Sequence, residues 1–592
     1  MGSLTLTPRQ AYPLYYALGN LFVWLHPGEP ARAVNLASAV YGALAVGVAA
    51  RLASSLADSV LAGLGAGLFL AFSYTFWSQA ITAEVYTLHL LLVGAALLAL
   101  LSWAKRPSQW RLAVFYAIYA LGFGNHLSMV LLLPALAVFL LLHRQRGAAD
   151  PLRPQMIAMA MGIAAFGALQ YAWNFRGLWA ELEPPASLLE AVGKFWYDVT
   201  KADWRDTLVM SVSESGLENR PAMYWFDLRQ QFGVPGVLLA AVGMAYAMFR
   251  WPRRGLLLAL VYLANLAFAW TYNVGDVYIF FLPAHYVVAL WAGAGVAAIV
   301  AVASRISSRA VAIVAGALCL LYPAWRGYDT LPALDRSWDN RAAELLDQFT
   351  TIPRDAIYAV DMNWQAQNAF DYFIKERKPG TPWFTTADLE WLEQEDVTAR
   401  FQKLLDANLE MDRAVVVSTG AYKNLVSRGY SGAVGGPARD RFVERVLSAP
   451  MGTPYALAIL RPDPEYPLDM LAIGRAWAWL AADAASLPEL RSYTILAGRV
   501  GTAPDLIKSE NHPYRIRQRV EPFELDIRME SWLPTDTIRR SGFGHVIVGR
   551  THMLTLERGV SFIALGRDGG PAYHSGLFAP IPRYVLGVPG EQ

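Results

Sequence analysis

The chain has 592 residues, 55% of them hydrophobic and only 17% charged, with a mean hydropathy of +0.29. Soluble domains carry about 25% charged residues, so composition excludes an ordinary soluble enzyme and equally a disordered or fibrous chain. A net charge of +2 supplies no global basic field for nucleic acid, and one cysteine, Cys319, excludes a disulfide framework or a cysteine-based zinc site.

A helix that crosses a bilayer needs about 20 predominantly apolar residues. Apolar stretches of that kind fall at 33–53, 59–77, 85–104, 111–124, 127–142, 156–173, 234–250, 255–272, 284–303 and 308–325. They predict an α-helical polytopic membrane protein with about ten spans. The pair flanking Gly124 is short, which predicts a tilted, broken or partly re-entrant element whose break faces protein. Leu14 to Leu25 reads as an amphipathic helix lying along the interface.

From about residue 335 the chain reads as soluble protein. Asp355–Asp361 and Arg413–Ser418 have the apolar runs of buried strands, with helical stretches near 339–350, 364–376 and 396–407. This alternation predicts an α/β domain over 331–465. A helical linker over 466–520 and a small β-rich module over 521–592 follow. In the module, 523–529, 545–548 and 558–565 read as strands, and Arg567-Asp568-Gly569-Gly570 as a turn.

Positive charge sets the orientation. Arg51; Lys105 and Arg106; His143, Arg144 and Arg146; Arg250, Arg253 and Arg254; and Arg305 and Arg309 occupy alternate breaks. The positive-inside rule turns these toward the cytoplasm and the other breaks, with the soluble half, outward. The expected setting is a bacterial cytoplasmic membrane, with the C-terminal part in the periplasm or outside. Residues 1–32 then begin outside without a signal peptide. That predicts an upstream helix and loop beyond Met1; the alternative is a short tail drawn across by the first span.

Polar groups at membrane depth are costly and mark sites. Four clusters fall on the outward breaks. In Phe76–His89, Glu84 stands at a membrane entry beside Tyr86 and His89. A lone glutamate there equally serves the helix dipole, by a few tenths of a kcal/mol. In Gly122–Ser128, two glycines permit close approach and Asn125 and His126 add hydrogen-bonding groups; a capped helix break is the structural alternative. Arg176 in Trp173–Arg176 either snorkels or holds a phosphate by a forked contact. Asn273, Asp276 and His285 surround the mouth of a later span. Together the clusters predict one polar cavity opening outward. Between them, Phe195-Trp196-Tyr197 and Lys201 to Arg205 alternate aromatic and basic character, which suits a helix on the bilayer surface.

These clusters, in this order, resemble the GT-C-type membrane glycosyltransferase group represented in animals by transmembrane protein 260. The matching pieces are Tyr12-Pro13-Leu14-Tyr15 with Asn20-Leu21-Phe22, Arg32 to Leu36, Phe76 to His89, Gly124-Asn125-His126, and Tyr278 to Gly293, covering roughly residues 11–340. The resemblance implies transfer of a mannose-like sugar from a polyprenyl-phosphate donor to a protein or glycan hydroxyl. No cofactor is expected, the charge balance points to no nucleic-acid partner, and no Asp, Glu or His spacing makes a metal site convincing, which leaves the metal requirement open. Under the resemblance Glu84 and Asp276 are the candidate catalytic carboxylates. Arg176, Lys201 and Arg205 would hold the donor phosphate, and Tyr86, Asn125, His126, Asn273 and His285 would line the pocket. The group carries a Gly-Asp-rich run before the Tyr-Pro-Leu-Tyr piece, its Asp taken as the base. Here Met1 to Pro8 contain no Asp. The competing expectation is therefore a membrane-anchored glycan- or lipid-carrier-binding protein without catalysis. A transporter is the third, disfavoured because no internal repeat is visible. The last 60 or so residues are similar to the interleukin-like EMT inducer domain in their strand, Arg-Gly, strand, Asp-Gly-Gly order. That resemblance implies glycan or acceptor contact, a plain structural cap being the alternative.

Overall fold

The computed structural model describes residues 6, 9, 11–26, 28–179, 185–212, 214–274 and 277–334, and beyond them residue 372 and eight short strands. The chain divides near Leu334 into two compact units.

The first unit is helical. Its first half comprises α1 (Pro13–Leu25), α2 (Pro30–Ala57), α3 (Val60–Ala71), α4 (Tyr74–Ala80), α5 (Tyr86–Lys105), α6 (Gln109–Phe123), α7 (Leu133–Leu142) and α8 (Pro154–Ala168). Its second half comprises α9 (Ala172–Leu178), α10 (Leu188–Val199), α11 (Ala202–Leu208), α12 (Glu214–Arg250), α13 (Pro252–Thr271), α14 (Val277–Phe280), α15 (Leu282–Ile306) and α16 (Arg309–Leu334). Local chemistry sets the boundaries. Proline opens α2, α8 and α13, where its missing N–H costs nothing. Ser59, Ser108 and Ser187 cap α3, α6 and α10 by accepting the N–H of Ala62, Arg111 and Glu190.

Seven described helices are long and apolar enough to cross a membrane, or eight if the bent pair α3–α4 counts as one. This corrects the expectation of about ten. Every stretch read as a span does form helix, but length decides the count. The 15 residues of α6 rise about 22 Å, short of the ~30 Å hydrocarbon core. Leu127–Leu142 is likewise a short apolar helix, and it opens with a 3-10 turn over Leu127–Leu132. The stretch read as 59–77 is broken, with α3 and α4 meeting at 69°.

The break at Gly124 faces protein, as expected. Its carbonyls are covered: Gly124 O accepts Leu14 N (2.9 Å), Phe123 O accepts the Tyr171 hydroxyl (2.7 Å), and Ala120 O accepts Gln170 Nε2 (3.3 Å). α12 is also interrupted, at Gly233, whose φ of 64° and ψ of 166° favour glycine. The carbonyls freed there are taken by α16. Phe232 O accepts the Tyr322 hydroxyl (3.1 Å) and Arg229 O accepts Arg326 (3.3 Å).

The core centres on α15, buried along most of its length and packed mainly on α12 and α3. Small residues make this possible. A Cβ on Gly243 would meet the Trp291 carbonyl, and one on Gly295 the Leu239 carbonyl.

At the basic end, Asp58 closes α2 in the left-handed conformation (φ 46°). It accepts hydrogen bonds from Lys105 on α5 and Arg254 on α13, both at 3.0 Å. Burial pushes its carboxyl up, but the two cations outweigh burial and hold it below the ordinary 3.8. A lowered folded-state pKa gives stability that is complete above the unfolded value and lost as pH falls through the folded one. Because 56% of the side chain is exposed, screening limits the staple to under about 1 kcal/mol. Asp58→Asn keeps the left-handed backbone accessible. It should lower the thermal midpoint of detergent-solubilised protein near neutral pH, and the difference should vanish in acid below the carboxylate range. A gap that persists in acid would show that charge is not the cause.

In the second unit, the described strands are β1 (Ile357–Val360), β2 (Trp383–Thr385), β3 (Val415–Val417), β4 (Asp505–Ile507), β5 (Arg515–Val520), β6 (Phe523–Glu530), β7 (Leu533–Pro534) and β8 (Arg539–Arg540). β1 lies between β2 and β3, parallel to both. β4 to β8 form an antiparallel five-stranded sheet, with β5 and β6 joined as a hairpin in which Val520 faces Phe523. β4 and β5 fall in the stretch read as helical linker. Arg515-Ile516-Arg517-Gln518-Arg519-Val520 alternates with period two, which is a strand pattern. The strands expected at 545–548 and 558–565, the turn at 567–570 and the helices near 339–350 and 396–407 lie outside the described residues. So does the stretch 364–376 apart from Tyr372.

Candidate active site

The site forms where α5 begins, where the α6 break ends, and where two surface segments cross them. α5 carries Tyr86 and His89 on its first turn. The break carries Asn125, His126 and Ser128. Asn125 is fully buried and its Nδ2 donates to Val85 O (3.1 Å), which ties the break to the start of α5. The rings of His89 and His126 lie 5.1 Å apart, with Ser128 Oγ 2.7 Å from His126 Nδ1 and 3.2 Å from His89 Nε2. Tyr12, just before α1, stacks on His126 at 5.9 Å, and Tyr86 approaches the same ring at 6.0 Å. Lys201, left-handed at the start of α11 (φ 48°), donates to the Tyr12 hydroxyl (3.3 Å) and sits 5.1 Å from that ring.

The surface segment is held in place. Arg9 pairs with Asp203 and lies 3.7 Å from Asp198, so the residues preceding Tyr12 are tied to α10 and α11. These partners, Asp203 first, hold the Arg9 guanidinium above its usual range. Glu84 lies half-buried in the turn between α4 and α5. Its backbone is pinned by Ser38 of α2, whose Oγ accepts Glu84 N (3.3 Å).

An open cleft of about 540 Å³ adjoins the site. Leu169, Tyr171, Phe175, Arg176, Trp179 and Phe195 line it, so it is an aromatic trough with one cation at its wall. Tyr171 links cleft and site, because its hydroxyl bonds Phe123 O two residues before Asn125.

The structure thus brings together Tyr86, Asn125, His126 and Lys201, with Glu84 at the foot of α5 and Arg176 in the adjoining cleft. Asn273 and His285 make their contacts elsewhere. Asn273 anchors the segment that follows α11: its N–H donates to Leu208 O (2.8 Å) and its Nδ2 to Ser211 O (3.4 Å). Arg205 is exposed on α11. Asp276 lies outside the described residues. His285 corrects the single-cavity expectation. It is buried on α15, stacked on Tyr224 at 5.9 Å, and its Nε2 lies 3.3 Å from Asp227.

That pair belongs to a second polar cluster which sequence reasoning missed. Gln231 Nε2 donates to Asp227 (3.0 Å) and to Thr75 Oγ1 (2.6 Å), while Gln231 Oε1 accepts Thr75 N (2.8 Å). The buried Arg220, on the same helix, donates to Tyr272 O (2.8 Å). A signal existed in Asp227 and Gln231, four apart and therefore on one helix face, just before the apolar run from 234. Tyr12 stood inside a matched piece and Ser128 at the end of the Gly122–Ser128 cluster, but contact alone shows their part. Among the described residues, no group of three His, Cys, Asp or Glu is placed to hold a metal ion.

Residues 7–149, which build most of this site, match the family model described as the Protein O-mannosyl-transferase TMEM260 N-terminal domain. The resemblance to the TMEM260 group holds over that region. The chain is also similar to mouse Protein O-mannosyl-transferase TMEM260, with 26% identity over 383 residues, 58% of this chain and 52% of that protein. It thus spans about half the length of that curated relative. Among solved structures it resembles ArnT from Cupriavidus metallidurans, bound to undecaprenyl phosphate, at 15% identity and a TM-score of 0.46, covering 72% of this chain and 86% of that one. The Archaeoglobus fulgidus oligosaccharyltransferase tethered to an acceptor peptide gives 13% identity and a TM-score of 0.38, covering 64% of this chain and 57% of that one.

Proposed function

We propose that this chain is a membrane glycosyltransferase that moves a mannose-like sugar from a polyprenyl-phosphate donor to a protein or glycan hydroxyl, outside the cytoplasmic membrane. The observation that carries the reading is the convergence of Tyr12, Tyr86, His89, Asn125, His126 and Lys201 at one place, beside an aromatic cleft walled by Arg176. An apolar trough bordered by a cation suits a prenyl chain ending in a phosphate. The match of residues 7–149 to an O-mannosyl-transferase domain supports the same chemistry.

In this reading a carboxylate takes the acceptor proton and the acceptor oxygen attacks the anomeric carbon. The bond from that carbon to the phosphate oxygen breaks, and polyprenyl phosphate leaves, stabilised by cations and N–H donors. Glu84 orients the acceptor or sugar, with Asp276 as the second carboxylate. Arg176, Lys201 and Arg205 serve the donor phosphate. The α/β domain over 331–465 and the β-rich module over 521–592 would present or bind the acceptor on the outer side.

The test is transfer from a radiolabelled polyprenyl-phosphate mannose in membranes that contain the chain. Glu84→Gln should lower turnover by about 100-fold, within the usual range for a proton-handling or positioning group, at unchanged membrane abundance. Turnover equal to wild type would remove Glu84 from the site. No transfer at all by wild type, over several sugars and acceptors, would sink the reading.

A further inference from the structure

The hydrogen bonds around His126 have a direction. Ser128 N donates to His126 Nδ1 (3.2 Å), and a backbone N–H can only donate. His126 Nδ1 therefore carries a lone pair, not a proton. The Ser128 hydroxyl lies 2.7 Å from the same nitrogen, so it must donate there as well. Its oxygen is then left to accept, and the His89 Nε2 at 3.2 Å must bring the proton. The chain runs from His89 Nε2–H through Ser128 Oγ–H to His126 Nδ1. One imidazole proton remains to be placed on His126, and only Nε2 is left to hold it. The tautomer is assigned from the network of donors and acceptors.

The same ring stacks on Tyr12, whose hydroxyl receives the Lys201 ammonium at 3.3 Å. An N–H and an ammonium thus share one aromatic platform. We propose that His126 is locked as a neutral Nε2–H donor by His89 and Ser128, and that it and Lys201 together bind an anionic phosphate oxygen of the lipid-linked donor. This rests on the donor named in the proposed function and gives His126 a defined part in it. A general-base role is excluded for this tautomer, because the only lone pair, on Nδ1, is engaged by two donors. His89 and Ser128 are positioning residues that act through His126.

The test uses the full chain in nanodiscs and two probes, undecaprenyl phosphate and the phosphate-free undecaprenol. His126→Gln puts an amide N–H near the place of Nε2. His126→Asn keeps an acceptor near the place of Nδ1 and loses the distal donor. Hydrogen bonds to charged groups contribute about 1.5–3 kcal/mol, or about 10- to 100-fold in affinity. H126N should weaken undecaprenyl phosphate binding by about that factor, and H126Q should stay within about 3-fold of wild type. Undecaprenol binding should not change in either. Lys201→Asn, which keeps the left-handed backbone, should weaken the phosphate probe alone and keeps the idea testable if H126N misfolds.

The proposal falls if H126N binds normally while H126Q does not, since His126 would then be only a cap. It falls if both variants lose binding equally, if Lys201→Asn has no effect, or if wild type binds the alcohol as tightly as the phosphate. Phosphate-selective binding in the expected order, without any sugar transfer, would uphold this site while refuting the transferase reading.

Discussion

Asp227→Ala is expected to destabilise the helical unit by about 1–3 kcal/mol, the range for leaving a buried hydrogen-bonding group unsatisfied. Asp227 has no solvent exposure, and its two partners, His285 and Gln231, are buried as well. Without the carboxylate, the buried Gln231 Nε2 loses one of its two acceptors, and a void opens beside the buried His285 ring. The damage spreads, because Gln231 also holds the N–H and hydroxyl of Thr75 at the start of α4. α4 leads into the turn that carries Glu84. Asp227→Asn keeps an acceptor for Gln231 and should cost less than half as much. Thermal midpoints of the purified variants decide the matter, and equal midpoints for the alanine and asparagine forms would count against it. A second readout is protease sensitivity at the 81–85 turn, which should rise in Asp227→Ala alone.

Gly295→Ala should cost about 1–3 kcal/mol, as expected for overpacking a tight interface, and Gly295→Leu should leave no monodisperse protein. The new Cβ meets the Leu239 carbonyl, a backbone atom that cannot rotate aside. α12 cannot easily retreat. Its break at Gly233 is tied to α16 through Tyr322 and Arg326, and Gly243 abuts the Trp291 carbonyl further along. The matched control is Gly162→Ala on α8, where nothing lies within 4 Å of the added carbon. Better helix propensity makes that change neutral or stabilising by up to about 1 kcal/mol. Size-exclusion profiles and thermal midpoints in one detergent distinguish the two positions. Equal behaviour would mean that α15 is not the tightly packed centre of the bundle.

Much of the fold was legible along the chain. Apolar length and composition place the helices, because a segment in hydrocarbon must satisfy its own backbone groups and helix is the local way to do so. Pro30, Ser59 and Ser108 mark helix starts by chemistry that acts within four residues. The short pair around Gly124 was readable from its length. Part of the site was readable too: Tyr86 and His89, three apart, share a helix face, and Asn125 and His126 stand in a glycine break.

Other features depend on partners far away in sequence. The 69° bend between α3 and α4 is stabilised by Gln231, 156 residues from Thr75. His285 resembled a pocket residue until Asp227 claimed it. Tyr12 reaches the histidines because its chain is tied by Arg9 to Asp203, 194 residues on. What the sequence determined unaided is which segments are helices and where polar groups interrupt them, since both follow from short-range backbone satisfaction and side-chain transfer energies. Which polar groups face one another was decided only by tertiary packing, because the shapes of α12, α15 and their small-residue contacts set the distances that turn separate imidazoles into one site or two.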